Sequence, residues 1–303
     1  MTAAGTRPFA LVPRRRFAGV QFGERRSPVR GAGSEVAGSR PYRPGDRVTT
    51  IDWGASARLS AARGESQFLV REHFAEQAPR VALVNDRRPA MALYPAPFPW
   101  LDKHAAVEAA TELLAASTAS ARGELGYVEH DVWIPPRTSG RLAPVRSRVE
   151  AELLDAPRDS LTRALERLCR HRGLFPPGSF VFVVSDFLEP PPARIWMRLR
   201  ASRWDVTPVV VQDPTWEQSF PEIGGVVLPL ADAATGELRD VRLSVGEARA
   251  TATANEARLE RTLGGFRRLG FDPVVLGTAE PSAIAASFHA WADRRRRLRR
   301  RRG

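Results

Sequence analysis

SFVFVVSDF, residues 179–187, is the stretch that decides the architecture of this chain. Phe180 to Val184 run without a polar break, and Ser185 and Asp186 then close the run. A strand with no polar alternation has no solvent face, so it must be covered on both sides. RVALVND, residues 80–86, repeats the pattern and also ends in an acid, Asp86. The segments between such runs carry helical spacing. KHAAVEAATELLAASTASA (103–121) places alanine and leucine on one stripe and stops near Gly123. SLTRALERLCRHR (160–172) follows Asp159 or Ser160 as a cap, and ARIWMRLRAS (193–202) and ANEARLERTLGGFRRL (254–269) are further helices. YVEHDVWI (127–134), DVTPVVVQD (205–213) and DPVVLGT (272–278) read as strands, with SAIAASFHAWADRRRR (282–297) as the closing helix. The alternation predicts an α/β fold: a doubly wound, mainly parallel sheet over residues 79–219 and 246–292. Ligands of such sheets sit beyond the carboxyl ends of the strands, where Asp86 and Asp186 fall.

Outside that body the patterns change. Residues 31–78 hold short β-type runs, with VTTIDW (48–53) and ESQFLVREHF (65–74) alternating in the strand manner. Pro44-Gly45 fits the centre of a type II turn, because proline presets φ and glycine accepts a positive one. GGVVLPLADAATGELRDVRL (224–243) reads as a hairpin. The expectation is a small β subdomain in which residues 31–78 pair with this hairpin, residues 220–245.

The net charge of +12 is concentrated at the two ends. RRRRLRRRR (294–302) holds eight arginines, and residues 1–30 hold seven against the single acid Glu24. The body between is close to neutral. Residues 1–30 are thus expected to be a basic, partly extended arm and residues 293–303 a solvated arginine-rich tail. Arginine runs attract phosphate in a salt-dependent, sequence-independent way, which offers nucleic-acid or anionic-membrane binding through the tail as one function. No interleaved aromatics accompany it for stacking on bases. No apolar run reaches the ~18–20 residues of a membrane span. The first arginines follow the opening apolar piece, the reverse of a secretory signal, so the expected location is cytoplasmic. The single cysteine, Cys169, excludes an internal disulfide and a multi-cysteine zinc site.

Few reactive constellations are present. The only lysine, Lys103, lies in Leu-Asp-Lys-His and not in a phosphate-binding glycine loop. GAGSEV (31–36) lacks the third glycine of a dinucleotide fingerprint, and neither GxSxG nor HExxH occurs. The histidines 73, 104, 130, 171 and 289 are scattered. Asp86 and Asp186 could bind Mg²⁺, which takes oxygen ligands. They could equally cap the helices that follow them. A metal-dependent phosphohydrolase would need a further acid or base, and the sequence offers none at an obvious spacing.

PYRPGDRVTTIDWGASAR (41–58) is the densest motif. Arg43, Gly45, Asp46, Asp52, Trp53 and Arg58 combine balanced charges, a turn glycine and a large aromatic, without a nucleophile beside a base. They are read as a structural clasp of charge-assisted hydrogen bonds on a β segment. With LVPRRRFAG (11–19), SDF (185–187), Asp213-Pro214 and PEIG (221–224), this motif resembles the bacterial domain-of-unknown-function family 58 over roughly residues 11–285. Members of that family look like a von Willebrand factor A domain with an added β portion. The resemblance implies a non-enzymatic adaptor or interaction module working with a MoxR-type AAA+ ATPase in assembling or remodelling other proteins. It also implies a Mg²⁺-type site between Asp86 and Asp186. Metal-binding von Willebrand A domains carry Asp-x-Ser-x-Ser after the first strand, plus a Thr from a later loop. Here Arg88 and Ala90 take the two serine positions, and the Thr position falls near Asp159, Ser160 or Thr162. The implied metal site is therefore degenerate, with an arginine placed to pair with Asp86 or Asp186 in the ion's stead. Phe98 and Trp100 of PAPFPW (95–100) are candidate anchors for a partner.

Overall fold

The computed structural model describes residues 7–14, 36–44, 46, 48–73, 78–92, 101–138, 156–231 and 237–300. Gly45, Phe98 and Trp100 lie outside the described residues, as does the arginine-rich connection 139–155. The chain divides into two compact units: residues 16–78 form one, and residues 1–15 with 79–303 form the other.

The larger unit is built on six strands: β3 (Arg80–Asn85), β4 (Glu124–Val128), β5 (Trp133–Thr138), β6 (Phe180–Ser185), β7 (Asp205–Val211) and β10 (Val274–Leu276). Their order across the sheet is β10-β7-β6-β3-β4-β5, parallel throughout except for the antiparallel edge strand β5. The doubly wound α/β sheet read from the sequence is therefore present. YVEHDVWI is not one strand, however. Its residues supply the end of β4, a turn at Glu129–Val132 closed by the Glu129 amide donating to the Val132 carbonyl (2.9 Å), and the start of β5.

The uninterrupted apolar runs do what two-sided burial requires. Val81, Leu83, Phe180, Phe182, Val184, Val209 and Val211 face one core, and Ala82, Val84, Val181, Val183, Val206 and Val210 face the other. The first core is covered by α2 (Lys103–Ser120) and α6 (Pro281–Arg300), the second by α3 (Ser160–Arg170), α4 (Ala193–Ala201) and α5 (Val245–Arg268). Successive side chains of a strand point to opposite faces, so an all-apolar run serves two helix layers at once.

Both termini depart from the sequence reading. Within the supposed arm, Phe9 and Val12 are buried in the first core. The Phe9 ring stacks on Phe288 at 5.0 Å and meets Trp291 edge-on, and its amide donates to Ser117 Oγ at 3.1 Å. Nor is the arginine run a solvated tail over its whole length. Helix α6 continues through it to Arg300, and Arg295 is only 3% exposed. An amphipathic helix that reaches past its last apolar residue can still bury an arginine, provided its donors find acceptors.

The smaller unit holds β1 (Val36–Pro41) paired antiparallel with β2 (Leu69–His73), and α1 (Trp53–Arg63). VTTIDW is therefore not a strand. Val48–Thr50 form a 3₁₀ turn, Ile51 makes a single bridge to Val70, and Trp53 begins α1. Asp52 caps that helix by accepting from the Ala55 amide at 3.0 Å, and Gly64 ends it in the left-handed region (φ 69°). The alternation in VTTIDW was coincidental. An aspartate followed by an alanine- and arginine-rich run is the cap signal that outranks it. The hairpin does form, as β8 (Val226–Ala231) against β9 (Leu238–Leu243). It makes a two-stranded sheet of its own, as do β1 and β2, so the expected ladder between 31–78 and 220–245 is not among those of the described residues.

Candidate functional site

Strands β4 and β6 lie on opposite sides of β3, although β4 follows β3 directly in the chain. The winding thus reverses at β3 and β6, where a doubly wound sheet opens its crevice. The pairing of Asn85 with Val184 sets Asp86 and Asp186 side by side just past the strand ends, and the Asp86 amide donates to the Val184 carbonyl at 2.9 Å. Both carboxylates are buried. The two acids expected at neighbouring strand ends thus lie at one edge of the sheet.

Asp86 is held mainly by Arg88. The guanidinium donates through Nε to Oδ1 (3.0 Å) and through Nη2 to Oδ2 (2.6 Å), a two-pronged pair. Ser185 Oγ adds a donor to Oδ2 at 2.7 Å, and the Arg88 amide one to Oδ1 at 3.1 Å. Burial pulls the Arg88 guanidinium down, but its hydrogen bonds and charge contact with Asp86 overcome this and hold it above its usual value. Arg88 Nη2 also lies 3.9 Å from Asp186 Oδ1, and Nη1 donates to the Glu189 carbonyl at 3.2 Å. Glu189 is in turn gripped by Arg158 at 2.5 and 2.7 Å.

Asp186 has its own cation. Lys103 Nζ lies 3.2 Å from Asp186 Oδ2, donates to the Ala90 carbonyl at 3.0 Å and pairs with Glu217 Oε1. Burial disfavours the ammonium, but Asp186 and Glu217 outweigh it and hold Lys103 above the usual lysine value. Burial raises the Glu217 carboxyl, Lys103 opposes that rise and Asp186 adds to it. The loop after β7 is fixed by Asp213, whose Oδ1 accepts from the Thr215 and Trp216 amides and whose Oδ2 accepts from the Leu101 amide at 2.6 Å. Glu217 Oε2 accepts from the Asp213 amide at 2.9 Å. Glycine is required beside this loop at Gly277, where an added Cβ would sit 2.7 Å from Pro214 Cγ. Phe187, immediately after Asp186, takes a positive φ of 51°, a conformation costly for a bulky residue.

A second buried pair flanks the first. Arg87 Nε lies 3.6 Å from Glu129 Oε1, and Tyr127 donates its hydroxyl proton to Glu129. Burial, then the neighbouring Glu129, pushes the Tyr127 phenol well up.

This arrangement does not fit Mg²⁺. Both oxygens of Asp86 already accept from protein donors, Arg88 reaches from Asp86 toward Asp186, Lys103 is bound to Asp186 on its own account, and Arg88 and Ala90 offer no hydroxyl. Among the described residues no group of three or more His, Cys, Asp or Glu side chains is placed to hold a metal ion. Of the three candidates for the threonine position, Ser160 is the buried one, and its hydroxyl lacks a hydrogen-bond partner. Lys103 and Glu217 were missed as site residues. The signal was available, since a lone lysine at the first turn of a helix sits where the helix dipole disfavours a cation.

The motif at 41–58 does not gather into one clasp. Asp46 pairs with Arg40 through two hydrogen bonds of 2.7 Å and accepts from the Arg43 amide at 2.8 Å, which lowers its carboxyl to about 2. The side chains of Arg43 and Arg58 are exposed, Asp52 caps α1, and Trp53 points to solvent. Cys169 is half-buried, and burial raises its thiol despite the opposing charge of Arg198.

An uncharacterized protein of Mycobacterium tuberculosis and one of Mycobacterium bovis are each 31% identical over 277 residues, covering 87% of this chain and 81% of theirs. Among solved structures, the conserved hypothetical protein BatB from Bacteroides thetaiotaomicron superposes with a TM-score of 0.41 at 15% identity, over 71% of this chain and 99% of BatB. A von Willebrand factor type A protein from Catenulispora acidiphila gives 0.40 at 13% identity, over 75% and 44%. At those scores the fold stands on its own strand order. The description "Protein of unknown function DUF58" matches residues 38–262, most of the chain, and the chain belongs to that family.

Proposed function

We propose that the chain is a non-enzymatic protein-interaction module that works with a MoxR-type AAA+ ATPase in the cytoplasm. The observation that carries this reading is the saturation of the sheet's carboxyl edge. Where a doubly wound enzyme would keep a reactive carboxylate or an open metal position, this chain pairs Asp86 with Arg88, Asp186 and Glu217 with Lys103, and Glu129 with Arg87. Buried carboxylates tied to permanent cations are poor bases and poor ligands. They do hold loops in fixed positions, which suits a recognition surface. Family membership supports the same reading, and the link to an AAA+ ATPase comes from the family resemblance. Among the described residues no helix is long and apolar enough to cross a membrane.

A second reading is favoured by the end of α6, where Arg294, Arg296 and Arg297 are exposed on either side of the buried Arg295. That row can bind polyanions in a salt-dependent manner. Affinity purification from the native cell, with and without nuclease, separates the two. Recovery of an AAA+ ATPase that survives nuclease and is lost on mixing with excess untagged chain supports the module. Recovery of nucleic acid alone, or metal-dependent phosphatase activity that disappears with Asp86→Asn, overturns it.

A further inference from the structure

We propose that the edge-to-face pair Trp53–Phe68 is the docking surface for a partner protein, and that the segment it takes is acidic with an apolar anchor. This rests on the interaction-module reading and names where, within the smaller unit, the contact is made.

Among the described residues of this small unit, four large apolar side chains stand in solvent: Val48 (61% exposed), Trp53 (58%), Phe68 (47%) and Tyr42 (37%). Single exposed hydrophobics are ordinary, but paired aromatics are not. The Trp53 and Phe68 rings meet at 5.9 Å with an interplanar angle of 79°. The Tyr42 amide donates to the Phe68 carbonyl at 2.8 Å, so Tyr42 is seated beside Phe68 on the backbone. Folding gains little from a tryptophan left in water, whereas association gains much, because tryptophan and tyrosine anchor most binding hot spots.

The pair is also held rigidly. The Asp52 cap fixes the first turn of α1, where Trp53 sits. Ser56 Oγ accepts from the Leu69 amide at 2.8 Å, and Ser60 Oγ accepts from the Gln67 amide at 3.0 Å. These two bonds clip α1 to the chain on either side of Phe68. A preorganised anchor loses less freedom on binding than a mobile one.

Charge selects the occupant. Asp46 is tied to Arg40 and Asp52 to the helix end, so neither acid is offered outward. Among the described side chains of this unit, those facing solvent with charge are Arg43, Arg58 and Arg63 against Glu65 alone. A second copy would meet like charge, which costs several kcal/mol across an interface. A single-stranded nucleic acid stacks successive bases on open aromatic faces, and here the edge of one ring is set against the face of the other. An acidic protein segment with an apolar anchor satisfies both the arginines and the ring pair.

The test uses the full chain and an immobilised set of short peptides: acidic with one aromatic or leucine, neutral with the same anchor, and basic with the same anchor. The acidic set is expected to be retained best. Trp53→Ala is expected to weaken that retention about tenfold or more. Phe68→Ser is expected to act similarly, and Trp53→Phe only slightly. Arg43→Glu with Arg58→Glu should reverse the preference without touching the anchor, which keeps the test sound if an aromatic variant folds poorly. Equal retention by the native chain and Trp53→Ala overturns the surface while leaving the module reading intact. So does preference for basic peptides, or no retention of any peptide. The surface also falls if Trp53→Ala abolishes oligothymidylate binding, or if sedimentation shows that it breaks a self-association.

Discussion

Replacing Arg295 is expected to cost more than removing every other arginine of the C-terminal run. The side chain is 3% exposed and donates to Asp205 Oδ2 (2.8 Å), Asp272 Oδ2 (3.2 Å), the Val12 carbonyl (3.2 Å) and Thr207 Oγ1 (3.3 Å). Its guanidinium carbon lies 4.0 Å from the centre of the Trp291 ring. One cation thereby joins the N-terminal segment, the start of β7, the turn before β10 and α6. Asp205 is nearly as buried and would keep a neutral donor, the Arg14 amide at 2.7 Å, in place of the cation. Removing one partner of a buried pair costs about 3–5 kcal/mol, because the other charge stays behind unpaired. At about 2–4 °C per kcal/mol, the melting temperature of Arg295→Ala should fall by roughly 6–20 °C.

Three controls make that number diagnostic. Arg296→Ala and Arg297→Ala, both exposed, should stay within about 0.5 kcal/mol of the native chain. Deleting residues 296–303 should be mild, whereas deleting 294–303 should match Arg295→Ala. Arg295→Met keeps the stem that packs on Trp291, so adding Asp205→Asn to it should recover part of the loss if the unpaired carboxylate is the cause. Differential scanning fluorimetry suffices. A fall of under about 2 °C in Arg295→Ala would return the run to a solvated tail and refute the reasoning.

Millimolar Mg²⁺ or Mn²⁺ should not raise the melting temperature, since a ligand stabilises only by exceeding its dissociation constant. Arg88→Ser with Ala90→Ser should stay metal-insensitive because Lys103 still faces Asp186, while adding Lys103→Ala should produce a shift; a shift in the native chain would refute the self-neutralised edge. Asp52→Ala should cost about 1 kcal/mol, the loss of a helix cap, and Asp52→Ser should restore most of it by denaturant titration. Asp46 titrates near 2 instead of the usual 3.8, so its contribution is complete above pH 3.8 and is lost as pH falls from there toward 2. Asp46→Asn should remove that acid-dependent step from the smaller unit's unfolding, and an unchanged profile would count against the Arg40 pair. Lys103→Arg should destabilise nearly as much as Lys103→Met in thermal melts, and a native-like Lys103→Arg would show that the pocket tolerates a fork.

How far the sequence could be read depended on the range of the interactions involved. The runs VALVN and FVFVV announce two-sided burial within six residues, so the parallel sheet and the neighbouring acids were legible. Arg88 was legible too, because a positional comparison put a cation where a hydroxyl was due. What was lost lay in long-range partners. Arg295 looks like any residue of an arginine run until α6 sets it over Trp291 and against Asp205, ninety residues earlier in the chain. Phe9 looks like part of a basic arm until Phe288 stacks on it. In VTTIDW two local signals competed, a period-two alternation and an aspartate cap. The cap prevailed because the run behind it, rich in alanine and arginine, suits helix over strand.

The choice of lysine at 103, in a chain that otherwise uses arginine for every basic position, follows from the shape of its pocket. Its three acceptors, the Ala90 carbonyl, Asp186 Oδ2 and Glu217 Oε1, come from three separate segments and converge on one nitrogen. An ammonium is a compact charge with three donors radiating from a point, which matches that convergence. A guanidinium is a flat fork whose donors point along one plane. It suits Arg88, where two oxygens of the same carboxylate lie in one plane. The two cations thus divide the edge by geometry, the fork for one carboxylate and the point charge for two carboxylates and a carbonyl. A dication bound here would have to displace both and leave their charges buried without partners, a cost that two aspartates cannot offset. The residues that hold the edge in place are thus the same ones that occupy the ligand positions of its carboxylates.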